Sequence, residues 1–590
     1  MTTGDSINVG PVEFGSTQSA GPTWASDAVV EILGELGIQY VALNPGASYR
    51  GLHDSLVNFE TEDKPSIILC LHEEHAAAIA HGYAKVANRP MGVAVHSNVG
   101  LMHASMAMYN AWCDRVPMLV LGATGPVDAM RRRPWIEWIH TAADQGALVR
   151  NFTKWDDQPA SVGAALESLV RAFALTSAAP SAPVYVCLDS AIQESRLTEP
   201  YFRPTVSRYR PSVSAIPGEN LGDAVSLLTK AERPLILIGR VNRSTDDWDI
   251  RVRLAEQLGA AVLADTKIGA TFPSAHPQLA APPEQVLTAQ GAEVVRRADL
   301  VLSLDWVDLG GTLRQVFGGR EPPVTVISCS NDDVLWNGWS KDHGGFSPVD
   351  CWLHVDADQA ARSLLSELEG RPASTPWEHS YSRSSFTDPS QSTVEPRSVE
   401  TLDLSQLAQA LNSALANEES CLIRLPLRWD GKWSHFAHPL DYLGYDGGGG
   451  LGSGPGMAVG AALALKATSR LPVAVLGDGD CAMGISALWT AARYRIPLLV
   501  IVANNHTYGN DEAHQSEVAR SRERNEANHW VGQRMADPKI DYSKMAEGQG
   551  WIGYGPVLNR LELDRILSMA IKQVRAGGCV LVDVDLVPAV

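Results

Sequence analysis

Short runs of Val, Ile and Leu recur along this chain, separated by stretches whose apolar residues follow helical spacing, and this rhythm limits the possible folds more than any other feature. A first block holds Tyr40–Leu43, Ile67–Leu71, Val93–His96, Met118–Leu121 and Val184–Leu188. A second holds Leu235–Ile238, Ala261–Ala264, Leu300–Leu304 and Val324–Ile327, and a third Val473–Leu476, Leu498–Ala503 and Val580–Val584. Continuous apolar strands alternating with helices indicate parallel sheets covered on both faces. The sequence therefore predicts an α/β chain of three doubly wound parallel-sheet domains, spanning 23–195, 219–368 and 404–590. A Gly/Ser/Thr-rich tail at 1–22 and a Ser/Pro/Thr-rich linker at 369–403 complete the division. A length of 590 residues agrees, because a single core stops growing well short of that size.

Composition narrows the function classes. A formal net charge of −19 disfavours a nucleic acid or anionic lipid partner. There is no run of 18 or more apolar residues to span a bilayer, and the first basic residue is Arg50, so the N-terminus lacks the features of a secretory or transit signal. A cytoplasmic protein without membrane partner is expected. The eight cysteines are scattered without a CxxC pair and read as reduced core residues.

The chemistry concentrates at two strand ends. Leu476-Gly477-Asp478-Gly479-Asp480 closes one apolar run, and Asn504-Asn505 closes another, with Asn505 lying 27 residues after Asp478. Ligands of open parallel sheets bind outside the carboxyl ends of the strands, so two such ends can hold one ligand together. A carboxylate from Asp478, a side-chain carbonyl from Asn505 and a backbone carbonyl from the following turn suit Mg²⁺ bridging two phosphate groups. Gly477 and Gly479 let backbone amides approach an anion closely.

This Gly-Asp-Gly with a spaced Asn-Asn resembles the signature of thiamine-diphosphate-dependent enzymes of the decarboxylase and acetolactate synthase superfamily. Ile485–Ala492, Tyr494, Ile496-Pro497 and Asn505–Gly509 are similar to the same stretch of the benzoylformate decarboxylases. The resemblance implies thiamine diphosphate and Mg²⁺ as cofactors, with Asp478, Asn505 and the Thr507 carbonyl on the metal. It puts Gly479, Asp480, Tyr508 and Gly509 along the diphosphate. Gly449-Gly450-Leu451-Gly452 resembles the family's glycine loop, which implies Gly449 beside the cofactor and Leu451 as the apolar wedge under the thiazolium.

Thiamine diphosphate also needs a carboxylate against its aminopyrimidine ring. Leu71–Ala76 and His81-Gly82-Tyr83-Ala84 resemble the family's His-Glu and Gly-Tyr-Ala element, and counting back nine residues from Gly82 selects Glu73 over its neighbour Glu74. His96 aligns with a strand-end histidine that faces substrate in that family; the alternative is a structural imidazole satisfied by a backbone carbonyl. Asn44-Pro45-Gly46-Ala47-Ser48 resembles the family's Asn-Pro-Gly-Ser with the hydroxyl displaced by one residue, which leaves Ser48 as a turn residue. The second catalytic histidine of the family has no counterpart in Asp305–Thr312, and Asn510–Arg534 either replaces a substrate-lining stretch or forms a solvated helix.

The implied function is non-oxidative decarboxylation of a 2-oxo acid, with carboligation as a further outcome. The alternatives are an acetolactate-synthase-like carboligase, a non-decarboxylating lyase of acyloins or 2-hydroxy ketones, and an inactive binding or regulatory homologue. The resemblance also implies a homodimer or homotetramer, with a 2-oxo acid or 2-hydroxy ketone as the small-molecule partner.

Overall fold

The computed structural model describes residues 21–197, 200–209, 211, 215–216, 218–332, 347–379 and 401–588. Residues 1–20 of the expected tail and 380–400 of the expected linker lie outside them. The described residues form three sheets in which every strand pair is parallel. The first contains β1 (Tyr40–Leu43), β2 (Ser66–Leu69), β3 (Gly92–Val95), β4 (Met118–Thr124), β5 (Trp155–Asp157) and β6 (Pro183–Asp189), in the order β2-β1-β3-β4-β6-β5. The second contains β7 (Pro234–Ile238), β8 (Ala261–Ala264), β9 (Leu300–Leu304), β10 (Thr325–Cys329) and β11 (Cys351–Leu353), in the order β11-β10-β9-β7-β8. The third contains β12 (Ser420–Arg424), β13 (Leu471–Gly477), β14 (Leu498–Asn504), β15 (Ile552–Val557) and β16 (Cys579–Asp585), in the order β12-β13-β14-β16-β15.

Successive residues of the inner strands enter different cores. In β1, Tyr40 and Ala42 join one apolar cluster while Val41 and Leu43 join another. In β7, Ile236 and Ile238 separate in the same way from Leu235 and Leu237. In β13, Ala474 and Leu476 separate from Val473 and Val475. Side chains alternate across a strand, so burial on both faces is what makes these strands read as unbroken apolar runs. All eight cysteines are free thiols, seven of them buried. No helix among the described residues is long and apolar enough to cross a membrane.

The cluster that receives Tyr40 and Ala42 also receives Ala474 and Leu476, so the first and third sheets share a core. Two helices cross within it, Glu73–Ala87 from the first unit and Ser453–Leu465 from the third. A Cβ on Gly82 would overlap the Met457 carbonyl oxygen, and one on Gly460 would overlap the Ile79 carbonyl oxygen. Only glycine admits backbones this close. The crossing sets where Glu73, the first residue of its helix, stands relative to the third sheet.

Candidate active site

Strands β13 and β14 are neighbours, with Gly477 paired to Ala503, so their carboxyl ends open side by side. Asp478 begins the short helix Asp478–Gly484 directly after β13. Its carboxylate is 4% exposed; one oxygen accepts from the Gly479 amide at 2.9 Å and the other from the Thr507 amide at 3.1 Å. The Asn505 side-chain carbonyl accepts from that same Thr507 amide at 3.2 Å, so the two side-chain oxygens converge. His506, at φ +56°, makes the turn between them. Burial pushes the Asp478 carboxyl up to about 6, and no Lys or Arg among the described residues forms an ion pair with it. A buried carboxylate held by amides but lacking a paired cation, beside a side-chain carbonyl, is a donor set for a hard divalent cation.

A cavity of about 520 Å³ opens over these ends. It is lined by Gly449, Leu451, Asp478, Gly479, Asp480, Asn505, Thr507, Tyr508 and Gly509, which are all the third-unit residues expected at the metal or cofactor. A Cβ on Gly479 would come within 2.6 Å of the Tyr508 ring, so the absent side chain is what lets that ring pack against the Gly-Asp-Gly turn. Asp480 has a different surrounding from Asp478. One of its carboxylate oxygens accepts from the Gly452 amide at 2.7 Å and the Gly454 amide at 3.2 Å, and the other lies 3.4 Å from Arg424 Nε. Asp446 accepts from the Gly449 amide at 3.0 Å, and Asn110, from the first unit, accepts from the Gly450 amide at 3.2 Å. The glycine run is thus held by carboxylates and an amide from three separate elements.

The remaining candidates gather at the carboxyl edge of the first sheet, because β1 lies between β2 and β3. Glu73 is 6% exposed, and its Oε2 lies 3.0 Å from His103 Nδ1. His72, which caps this helix, stacks on His103 at 4.5 Å. The adjacent acid diverges: burial and then the Asp480 charge raise the Glu74 carboxyl, which faces the glycine run. The two glutamates therefore address different neighbours.

His96 directly follows β3 and stands at the start of the helix Ser97–Cys113 without a side-chain capping bond. Ser48 is buried beneath it and is more than a turn residue, since its Oγ lies 2.9 Å from His96 Nδ1 and accepts from the Ser97 amide at 3.0 Å. The Ser48 amide also donates to Nδ1 at 3.4 Å, so Nδ1 is taken as an acceptor, which leaves the neutral imidazole protonated at Nε2. His140 packs edge-on against His96 at 4.6 Å. Burial, and after it the neighbouring His140, lowers the His96 pKa. A Cβ on Gly46 would overlap the His96 ring, which explains a glycine there.

Neither Glu73 nor His96 lines the cavity of the third unit. In the central unit, the Asp308 carboxylate caps the helix Leu309–Phe317 by accepting from the Gly311 amide at 3.0 Å. Asn510–Arg534 opens with the exposed helix Gly509–Ser521, of which only Glu512 and Ala519 are buried. Glu512 ties it down through Arg534 at 2.9 Å, His529 at 3.2 Å and the Thr507 hydroxyl. Residues at or beside these sites that were not read from the sequence include His103, Asn110, His140, Arg424, Asp446 and Tyr542, whose hydroxyl donates to the Asp478 carbonyl at 2.9 Å, and Ser48 was read only as a turn residue.

Three family models match the chain in series. They describe the thiamine pyrophosphate enzyme N-terminal TPP-binding domain over residues 23–148, the central domain over 221–312 and the C-terminal TPP-binding domain over 428–584. Benzoylformate decarboxylase of Pseudomonas aeruginosa is 26% identical over 498 residues, 82% of this chain and 86% of its own. The acetolactate synthase large subunit of Haemophilus influenzae is 22% identical over 563 residues, 90% of this chain and 89% of its own. Among solved structures, the thiamine diphosphate-dependent 4-hydroxybenzoylformate decarboxylase of Rhodococcus jostii RHA1 superimposes with a TM-score of 0.76 at 21% identity, covering 96% of this chain and 99% of its own, a likeness of fold. Three domains matched in order, and an oxygen donor set fit for a divalent cation beside an anion-sized cavity, lead to one conclusion: the chain belongs to the thiamine pyrophosphate enzyme family and takes thiamine diphosphate with Mg²⁺.

Proposed function

We propose that this enzyme decarboxylates a 2-oxo acid without oxidation. Benzoylformate, the substrate named for one relative, is such an acid. The observation that carries the reading is the pairing of Ser48 with His96 on the same sheet edge as Glu73. Bound thiamine diphosphate supplies a nucleophilic carbon for the substrate carbonyl and an electron sink for the pair left when carbon dioxide departs. The chain supplies the rest. Asp478, Asn505 and the Thr507 carbonyl hold Mg²⁺, while Gly449, Gly479, Tyr508 and Gly509 line the diphosphate and Asp480 fixes the glycine run beside it. Leu451 is the apolar support under the thiazolium. Glu73 holds the proton that activates the aminopyrimidine ring. His96 moves a proton at Nε2 on the substrate side, with Ser48 fixing its tautomer.

Glu73 and His96 stand apart from the cavity within one chain, which supports a homodimer, or a tetramer of two dimers, in which each cavity is completed by the edge of the partner subunit's first sheet. A cytoplasmic location accords with the composition. A second reading, carboligation or cleavage of a 2-hydroxy ketone, draws on the central unit, where Asp305–Thr312 holds no histidine and Asp308 is occupied as a helix cap. A carbon dioxide release screen across 2-oxo acids, with product analysis, tests the choice. Release with formation of an aldehyde is expected. Cleavage of 2-hydroxy ketones with no release from any 2-oxo acid would refute decarboxylation.

A further inference from the structure

The cavity over β13 and β14 is rich in carboxylates for a site that receives a diphosphate. Asp478 and Asp480 line it, and Asp446 stands behind the glycine run. Five amides of these glycines are already occupied. Those of Gly452 and Gly454 donate to Asp480, Gly449 to Asp446, Gly450 to Asn110 and Gly479 to Asp478. Two cations line the cavity, and one of them, Arg428, is exposed.

The other is Arg424, at the carboxyl end of β12, the strand beside β13. It is 3% exposed. Its Nη2 lies 2.9 Å from Asp446 and its Nε 3.4 Å from Asp480, and the guanidinium carbon sits 4.3 Å from the centre of the Tyr445 ring. These contacts hold the guanidinium between two carboxylates and a ring, and the Asp446 Oδ2 that faces Nη2 is itself without a hydrogen-bond partner among the described residues. Its third nitrogen, Nη1, is buried and has no hydrogen-bond partner among the described residues. A buried charged donor without an acceptor is costly, and Arg424 is itself part of the cavity wall.

We propose that Arg424 is a ligand of the cofactor's diphosphate, with Nη1 donating to a phosphate oxygen, so that cofactor binding is shared between the metal at Asp478 and this guanidinium. The proposal rests on the placement of the diphosphate in this cavity. Arginine suits the role because its rigid fork can hold two carboxylates on one side and keep a donor for phosphate on another.

The test is a titration of Mg²⁺-loaded apoenzyme with thiamine diphosphate, followed by tryptophan fluorescence, for the parent, Arg424→Gln, Asp480→Asn, Asp478→Ala and the double variant Arg424→Gln/Asp480→Asn. The double variant neutralises Arg424 and Asp480 together and leaves Asp446 as the one buried carboxylate of the three groups, so its melting midpoint is read beside the titration. Arg424→Gln should bind about 10- to 100-fold more weakly, the range for one charge-assisted hydrogen bond. Asp480→Asn is the reference for the double variant, which should bind about 10- to 100-fold more weakly than Asp480→Asn alone. Affinity in the double variant equal to that of Asp480→Asn would overturn the proposal, since Arg424 would then serve only to neutralise Asp480. Parent-like affinity in Arg424→Gln would overturn it as well. Asp478→Ala separates the two levels: if it alone loses the cofactor, the placement stands and the role of Arg424 falls, and if it too binds normally, the placement itself is wrong.

Discussion

Replacing Glu73 by Gln keeps the shape and most of the hydrogen-bonding capacity of the side chain but removes the proton it is proposed to supply. The structural cost should be small. Its ion-pair partner is His103, whose side chain is 56% exposed, and a pair open to solvent on one side is worth about 0–1 kcal/mol. The amide can still accept from His103 Nδ1, so the thermal midpoint should barely move. Cofactor affinity should also hold, since Glu73 is absent from the cavity proposed to take the diphosphate. Activation should not. Hydrogen–deuterium exchange at the thiazolium carbon, read by quenched-flow NMR, should slow by roughly 10²- to 10⁴-fold, the usual contribution of a positioned acid or base. Glu74→Gln is the control built into the sequence. It removes a carboxylate whose pKa is raised by burial and by Asp480, so stability should be unchanged or higher and exchange should stay within a few-fold of the parent. Equal rates in the two variants would refute the assignment, and slowing confined to Glu74→Gln would transfer it to the neighbour.

Asp478→Ala should abolish retention of cofactor while the fold persists, and full occupancy in a thiochrome assay would contradict a metal role. His96→Ala should slow turnover by about 10²- to 10⁴-fold with cofactor binding intact. Ser48→Ala should act through His96: the hydroxyl donates to Nδ1 only while that nitrogen is unprotonated, so its loss should raise the His96 pKa and move the acid limb of kcat/KM to higher pH. Gly460→Ala inserts a methyl between two helix backbones that cannot yield as a side chain would, and overpacking of that kind costs about 1–3 kcal/mol or more. Its melting midpoint should fall measurably, and cofactor-dependent exchange should slow as Glu73 shifts. Sedimentation should give a dimer or tetramer, and an active monomer would count against a site completed by the partner subunit.

The inner strands were legible because each is buried on both faces. β1 and β9 match the apolar runs Tyr40–Leu43 and Leu300–Leu304 residue for residue, and so does β8 with Ala261–Ala264, an edge strand that is buried along its whole length. The strands that escaped, β5, β11, β12 and β15, all lie at sheet edges. An edge strand has fewer neighbours to cover it and carries no obligation to be apolar throughout. β5 reads Trp-Asp-Asp with every residue partly exposed, and β15 contains Gly553, Gly555 and Pro556 with only Val557 buried. β12 is buried along most of its length, yet it ends in a charged residue, and a run of Cys-Leu-Ile between Ser and Arg is too short to stand out. Missing β12 meant missing Arg424 as a strand-end residue.

The site was legible where residues near in sequence share one strand end, and illegible where folding brings distant ones together. Asp478, Gly479, Asn505 and Tyr508 belong to two strand-end turns, so position alone carried them to the cavity. Ser48 reaches His96 across 48 residues, and Asn110 reaches Gly450 across 340. No periodicity encodes such pairs. Asp480 shows that proximity in sequence can also mislead about chemistry. It lies two residues from Asp478 and lines the same cavity, yet its oxygens already accept from Gly452 and Gly454 and face Arg424, whereas the carboxylate of Asp478 meets amides alone. What distinguishes the two carboxylates is the cation beside Asp480. That cation comes from an edge strand more than fifty residues away, so only the folded chain shows the two acids in different surroundings.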